Sequence, residues 1–141
     1  MARQYWLVKQ EPTKYAFDDL VRDQRTTWDG VRNFQARNNL KAMRQGDHVL
    51  FYHSNVGQAV VGLCEVSRPA YPDPTTKEPQ WVAVDLVPLK KLKREVTLAE
   101  IKETPALKDV ALIRQSRLSV MPLTPAEFDT IVKLGSSRAA G

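Results

Sequence analysis

Eleven consecutive residues, Trp28-Asp29-Gly30-Val31-Arg32-Asn33-Phe34-Gln35-Ala36-Arg37-Asn38, place aromatic rings, a turn glycine, two arginines and several amides side by side. A second polar-aromatic group, Phe51-Tyr52-His53-Ser54-Asn55, follows. The chemistry these residue types suit is recognition: a ring face for one nucleobase, amide edges for its rim, a guanidinium for its phosphate. Nothing else in the chain is arranged for chemistry. His48 and His53 are the only histidines and stand apart from any cysteine pair or tight carboxylate cluster, so no metal is expected. His53 and Ser54 are consecutive and point to opposite sides of a strand, which makes them a poor catalytic dyad. Asp18-Asp19 and Glu100 with Glu103 read as helix-surface acids. No paired-carboxylate site emerges, and no cofactor is expected.

Each recognition residue has a plain structural reading beside the functional one. A lone tryptophan is a core residue first. Trp28, however, is followed at once by a turn and by Arg32-Asn33, which are poor core residues, and this favours a pocket wall. Asn33 suits the N-cap of a following helix and can serve a pocket at the same time, because a helix start also offers free backbone N–H groups. Arg32, Arg37 and Arg117 are candidate phosphate ligands and equally candidate surface ions. Lys9 ends the first apolar run, where a strand would aim it at the mouth of a barrel. His53 and Ser54 read either as a hairpin loop or as rim donors to a base edge.

The bulk numbers agree with a nucleic-acid partner without requiring one. The 141 residues carry 21 Lys+Arg against 16 Asp+Glu, a net charge of +5. Arg32, Arg37, Lys41 and Arg44 fall in one stretch with no acid, and Lys90, Lys91, Lys93 and Arg94 form a second cluster. Cys64 is the only cysteine and lies in an apolar run, so it reads as a buried thiol and no internal disulfide is possible. No apolar stretch approaches membrane-spanning length and no signal peptide is read. The expected setting is cytoplasmic, or nucleoid or nuclear, and the expected state a monomer.

The elements that must position these residues follow from period and punctuation. Gln4 to Lys9 is a strand stopped at Glu11-Pro12. Phe17, Leu20 and Val21 mark an amphipathic helix over Ala16 to Asp23. Thr26 to Gly30 is extended and then turns. A helix starts near Asn33, buries Ala36, Leu40 and Met43, presents Arg37, Lys41 and Arg44 on another face, and ends at Gln45-Gly46-Asp47. His48 to His53 and Ala59 to Arg68 are strands around a turn at 54–57, and Gly62 marks a bulge or a close backbone approach. Pro69 to Pro79 is an irregular loop. Trp81 to Leu92 is a strand with Pro88 at an edge or bulge. Thr97-Leu98-Ala99-Glu100 and Thr124-Pro125-Ala126-Glu127 are capping boxes, the second helix ending at Gly135. A last short strand is expected near Leu118 to Met121. The sum is an α+β domain built on a strongly curved sheet or small β-barrel with helices outside.

Tyr5-Trp6-Leu7-Val8-Lys9-Gln10-Glu11-Pro12, the Trp28–Asn38 stretch, Gly46-Asp47-His48-Val49-Leu50-Phe51-Tyr52-His53-Ser54-Asn55, Ala70-Tyr71-Pro72-Asp73-Pro74 and Arg114-Gln115-Ser116-Arg117-Leu118-Ser119-Val120-Met121-Pro122 together resemble the signature blocks of the EVE domain family, in order and over nearly the whole chain. The resemblance implies a PUA-like fold, a small β-barrel with flanking helices, similar in architecture to YTH domains, which read a methylated adenine in RNA. It implies a binder of modified nucleobases, commonly modified cytosines in DNA, and not an enzyme. An enzyme acting on a nucleoside or RNA is the alternative, since fold does not fix function. The expected base-binding pocket is Trp28, Asn33, Val31, Lys9, Gln10, Tyr52, His53 and Ser54. The expected phosphate ligands are Arg32, Arg37, Lys41 and Arg117. Two departures stand out: Gln10 replaces a more usual serine and Phe34 a more usual tyrosine, the first altering a hydrogen bond at the pocket edge, the second removing a hydroxyl. The domain is expected over residues 1–135, with a frayed tail over 136–141.

Overall fold

The structure is a computed structural model that describes residues 3–136. Six strands form one sheet: β1 (Tyr5–Gln10), β2 (Thr26–Trp28), β3 (His48–His53), β4 (Ala59–Pro72), β5 (Val82–Thr97) and β6 (Val120–Leu123), in the order β2-β5-β4-β3-β1-β6. β1 and β3 pair in parallel, from Tyr5 opposite His48 to Gln10 opposite His53, and the other pairings are antiparallel. A parallel pair brings equivalent ends together. Lys9 and Gln10 therefore lie beside Tyr52 and His53, the candidate residues of two separate sequence blocks.

The helices are α1 (Phe17–Asp23), α2 (Phe34–Ala42), α3 (Leu98–Glu103), α4 (Ala111–Arg114) and α5 (Pro125–Ser136), with a 3-10 turn at Pro105–Leu107. They divide between the two faces of the sheet. Tyr5 and His48 meet Phe128 of α5, at ring-centroid distances of 4.3 and 6.0 Å. Phe51, three residues past His48, points the other way. It meets Phe17 of α1 and Trp28 edge-to-face, each at 5.5 Å. α2 buries Ala36 and Leu40, and Met43 just past its end is buried with them.

The mixed helix-and-sheet architecture is as expected, but the sheet is not closed. β2 and β6 are its edges and do not pair; α2 lies against β6 as well as β4 and β5. The Pro69–Pro79 region is only partly a loop. β4 runs on to Pro72, and its pairing with β5 slips between Val66 and Arg68 and between Arg68 and Tyr71. Proline has no N–H to give a ladder, so Pro69 and Pro72 are carried where the ladder is irregular. Pro88 sits opposite Cys64 at another slip, and β5 continues well beyond Leu92. The last strand lies two residues later than expected, with Pro122 on the edge strand β6.

Two glycines mark close approach. A Cβ on Gly62 would sit 2.4 Å from the Phe17 ring. Gly135 does not end α5: it is buried inside the helix, where a Cβ would come within 2.6 Å of Leu92 Cδ1. Ser136, the first residue of the expected tail, is the last residue of α5; 137–141 lie outside the described residues. Among the described residues, no helix is long and apolar enough to cross a membrane.

Candidate nucleic-acid interface

Two clefts open at the C-terminal end of β1, joined by the segment from Trp28 to Asn33. The first, about 260 Å³, is lined by Gln10, Tyr15, Thr26, Thr27, Trp28 and Asp29. The second, about 360 Å³, is lined by Asn33, Gln35 and the stretch from Arg114 to Leu118. Successive strand residues point to opposite faces, so Gln10 enters one cleft while Lys9 reaches toward the other. Lys9 Nζ donates to the Ser116 carbonyl at 2.6 Å and stands 5.9 Å from the centre of the Tyr52 ring. Burial pulls the Lys9 amine below its ordinary pKa and pushes the Tyr52 phenol above its own.

The joining segment is held from behind by a buried carboxylate. Asp73 Oδ2 accepts from the Gly30 N–H at 2.8 Å and from Arg32 Nη1 at 3.0 Å; Asp73 Oδ1 accepts from the Thr75 N–H and hydroxyl at 2.7 and 2.6 Å. The Asp73 side chain has no exposed surface, while that of Arg32 is 40% exposed. Burial alone would raise the Asp73 carboxyl; the bonds from Thr75, Gly30 and Arg32 outweigh it and hold the group down at about 2. Arg32 also donates to the Val31 carbonyl and to Thr75 Oγ1. Much of its bonding capacity is thus committed to shaping the loop before any phosphate arrives.

The sequence-derived residues divide by what they already do. Trp28 lines the smaller cleft but is only 6% exposed, with Phe51 against it, so it offers a narrow strip of indole rather than an open face. Asn33 lines the larger cleft, and its Oδ1 accepts from the Ala36 N–H at 2.9 Å, capping α2. Gln10 lines the smaller cleft; its Oε1 accepts from the Glu11 N–H. Val31 is buried in the core. His53 Nε2 accepts from the Phe17 N–H at 3.1 Å at the start of α1, and burial lowers the imidazole pKa, so the ring is a neutral helix anchor. The Ser54 N–H extends the β1–β3 pairing by donating to the Gln10 carbonyl at 2.9 Å. Arg117 is exposed in the larger cleft and Lys41 is exposed on α2. Arg44 falls beyond the end of α2 and so leaves the basic face of that helix.

Several residues escaped the sequence reading. Asp29 is in the motif, but between Trp28 and Gly30 it reads as a turn residue; Tyr15, Thr26 and Thr27 carry no local signal at all. Phe34, 59% exposed, stacks on Trp81 with centroids 5.0 Å apart, while Arg32 lies 5.5 Å from the indole and Arg37 5.1 Å from the Phe34 ring. Arg37 also donates to Asn38 Oδ1 and to the Gln80 carbonyl. Among the described residues, no cluster of metal-binding side chains forms.

Comparison with known proteins bears on this arrangement directly. A family model described as the EVE domain matches residues 4–134. Thymocyte nuclear protein 1 of Homo sapiens is 37% identical over 164 aligned positions, covering 92% of this chain and 73% of that protein. A hypothetical protein from Leishmania major superposes with a TM-score of 0.91 at 42% identity, covering 95% of each chain. The human THYN1 protein in complex with 5-methylcytosine-containing DNA superposes with a TM-score of 0.89 at 36% identity, covering 96% of this chain and 99% of that one. With the family model matched from β1 into α5, this chain belongs to the EVE domain family.

Proposed function

We propose that this protein is a non-catalytic reader of modified cytosine in DNA, seating one extruded base in the Trp28 cleft. The observation that carries the reading is the structure of the human THYN1 protein in complex with 5-methylcytosine-containing DNA, whose chain in that complex is matched over 99% of its length at a TM-score of 0.89. The local chemistry supports it: a cleft with one indole in its wall, amide, hydroxyl and carboxylate groups around it, an exposed cation at Arg117 in the larger cleft, and another at Lys41 in the last turn of α2. The ionisable groups best placed for catalysis have structural duties, His53 at the start of α1 and Lys9 on the Ser116 carbonyl.

The magnitudes divide the work. Extruding a base costs a few kcal/mol, and stacking on an aromatic ring returns about 1–3 kcal/mol at full overlap. Trp28 shows only part of its ring, so phosphate contacts from Arg37, Lys41 and Arg117 must supply much of the affinity, and binding falls steeply with salt. Burying one extra methyl contributes about 0.8 kcal/mol, near fourfold. Larger discrimination requires hydrogen bonds to the base rim, for which Gln10 in the wall of this cleft, Asn33 in the larger cleft and Ser54 beside the end of β1 are the candidates among the expected pocket residues.

The test is a titration of duplexes carrying cytosine or 5-methylcytosine at one position, at two ionic strengths. Tighter binding of the modified duplex is expected at both. Equal affinity for the two removes the reading. Incubation with modified nucleosides and RNA should yield no product; steady turnover that scales with protein would replace the reader by an enzyme.

A further inference from the structure

We propose that the Asp29 carboxylate makes the Trp28 cleft specific for cytosine over thymine, by accepting a hydrogen bond from the 4-amino group of the seated base. This rests on the reading of the cleft as the seat of a modified cytosine. 5-Methylcytosine and thymine have the same ring, the same 5-methyl group and the same O2. They differ in the substituent at position 4, an amino donor in one and a carbonyl acceptor in the other, and in whether N3 accepts or donates. A pocket shaped for the methyl therefore admits both. An acceptor fixed opposite position 4 separates them, because thymine would set its O4 against that acceptor with no proton between.

The acceptors in the cleft are few, and most are already engaged. Gln10 Oε1 accepts from the Glu11 N–H at 3.0 Å. The Thr27 hydroxyl donates to Asp85 and receives the Tyr71 hydroxyl. The Tyr15 hydroxyl donates to Asp23 and is hydrogen-bonded to Thr26. The Asp29 carboxylate accepts a hydrogen bond from no other residue among the described residues, so it has the most capacity left. Its backbone is fixed on both sides: the Asp29 N–H donates to the Thr27 carbonyl at 3.1 Å, and the next N–H, that of Gly30, is bound by Asp73. Burial and the nearby Asp73 charge hold the Asp29 carboxyl above its ordinary pKa, against the pull of Arg32. A carboxylate so placed gains from an amino donor.

The experiment uses three duplexes that differ at one position opposite guanine, bearing 5-methylcytosine, cytosine or thymine. Each is titrated by fluorescence anisotropy with the wild type, Asp29→Asn and Asp29→Ala. The thymine mismatch is easier to extrude, so it works against the expected preference. Wild type should favour 5-methylcytosine over thymine by on the order of tenfold to a hundredfold. In Asp29→Asn the carboxamide can turn either edge to the base, and the ratio should collapse to within about threefold. Asp29→Ala should lose the same ratio, with thermal melting of both variants close to wild type. A wild-type ratio near one, or a variant that keeps the wild-type ratio, overturns the role of Asp29. If wild type fails to separate 5-methylcytosine from cytosine, the reader assignment itself falls, and this proposal with it.

Discussion

Arg32 and Asp73 are joined across 41 residues of sequence by an ion pair of 3.0 Å, one partner half-exposed and the other fully buried. The pair ties the loop between β2 and α2 to the loop after β4, and the Gly30 N–H shares the same carboxylate oxygen. Both ends of the Trp28–Asn33 segment are thereby fixed, by this carboxylate and by the Asn33 cap on α2. The loop is organised before ligand arrives, which reduces the ordering cost of binding.

Asp73→Ala should cost about 2–4 kcal/mol, because it strands the Gly30 N–H and unpairs Arg32. Urea unfolding measures it. A loss below about 1 kcal/mol would mean that the loop finds other partners.

The acid limb of stability should carry the Asp73 signature. Its folded carboxyl lies at about 2 against 3.8 for the free group, so the native state binds this proton less readily than the unfolded one. The contribution is complete above pH about 4 and fades as the pH falls toward 2. Asp73→Asn should flatten that limb relative to wild type in pH-dependent unfolding; an unchanged slope assigns the acid sensitivity to other carboxylates.

Salt dependence should separate free cations from committed ones. Each phosphate contact contributes about 0.9 to the slope of log K against log salt. Lys41→Ala and Arg117→Ala should each reduce the slope by about that amount. Arg32→Ala should act mainly on stability. A full unit of slope lost with Arg32 would show that it also holds phosphate.

Asn33 serves the helix and the cleft together, so the choice of substitution decides what is learned. Asn33→Ala should lose about 1 kcal/mol of stability with the cap. Asn33→Ser keeps a capping hydroxyl and should preserve stability while flattening the ratio between modified and plain duplexes. Trp28→Phe should instead weaken both duplexes together. The reverse pattern in the two titrations exchanges these roles.

Gly62→Ala should destabilise by about 1–3 kcal/mol through overpacking against Phe17. Thermal unfolding reads the effect. Near-neutrality would require that the ring turn aside at little cost, although it packs on Phe51.

The sequence by itself determined what depends on neighbours within a turn or two. Thr124 and Glu127 exchange both capping-box hydrogen bonds at 3.0 Å; Thr97 caps α3 through the Glu100 N–H, while the Glu100 side chain turns to Arg94 instead. The Asn33 cap, the buried face of α2 and the β3 strand were legible for the same reason: capping and periodicity are local. Most of the residues that line the two clefts likewise lie within the family blocks, with Tyr15, Thr26 and Thr27 outside them. The tertiary structure decided which groups remain free to bind. Lys9 finds the Ser116 carbonyl 107 positions away, Arg32 is drawn to Asp73, and His53 turns to the α1 backbone. Trp81, beyond a proline-rich stretch, becomes the partner of Phe34. None of these pairings has a local cause. They depend on the parallel register of β1 with β3, on the slips that carry the prolines of β4, and on buried charge that must be matched wherever the fold brings a partner within reach.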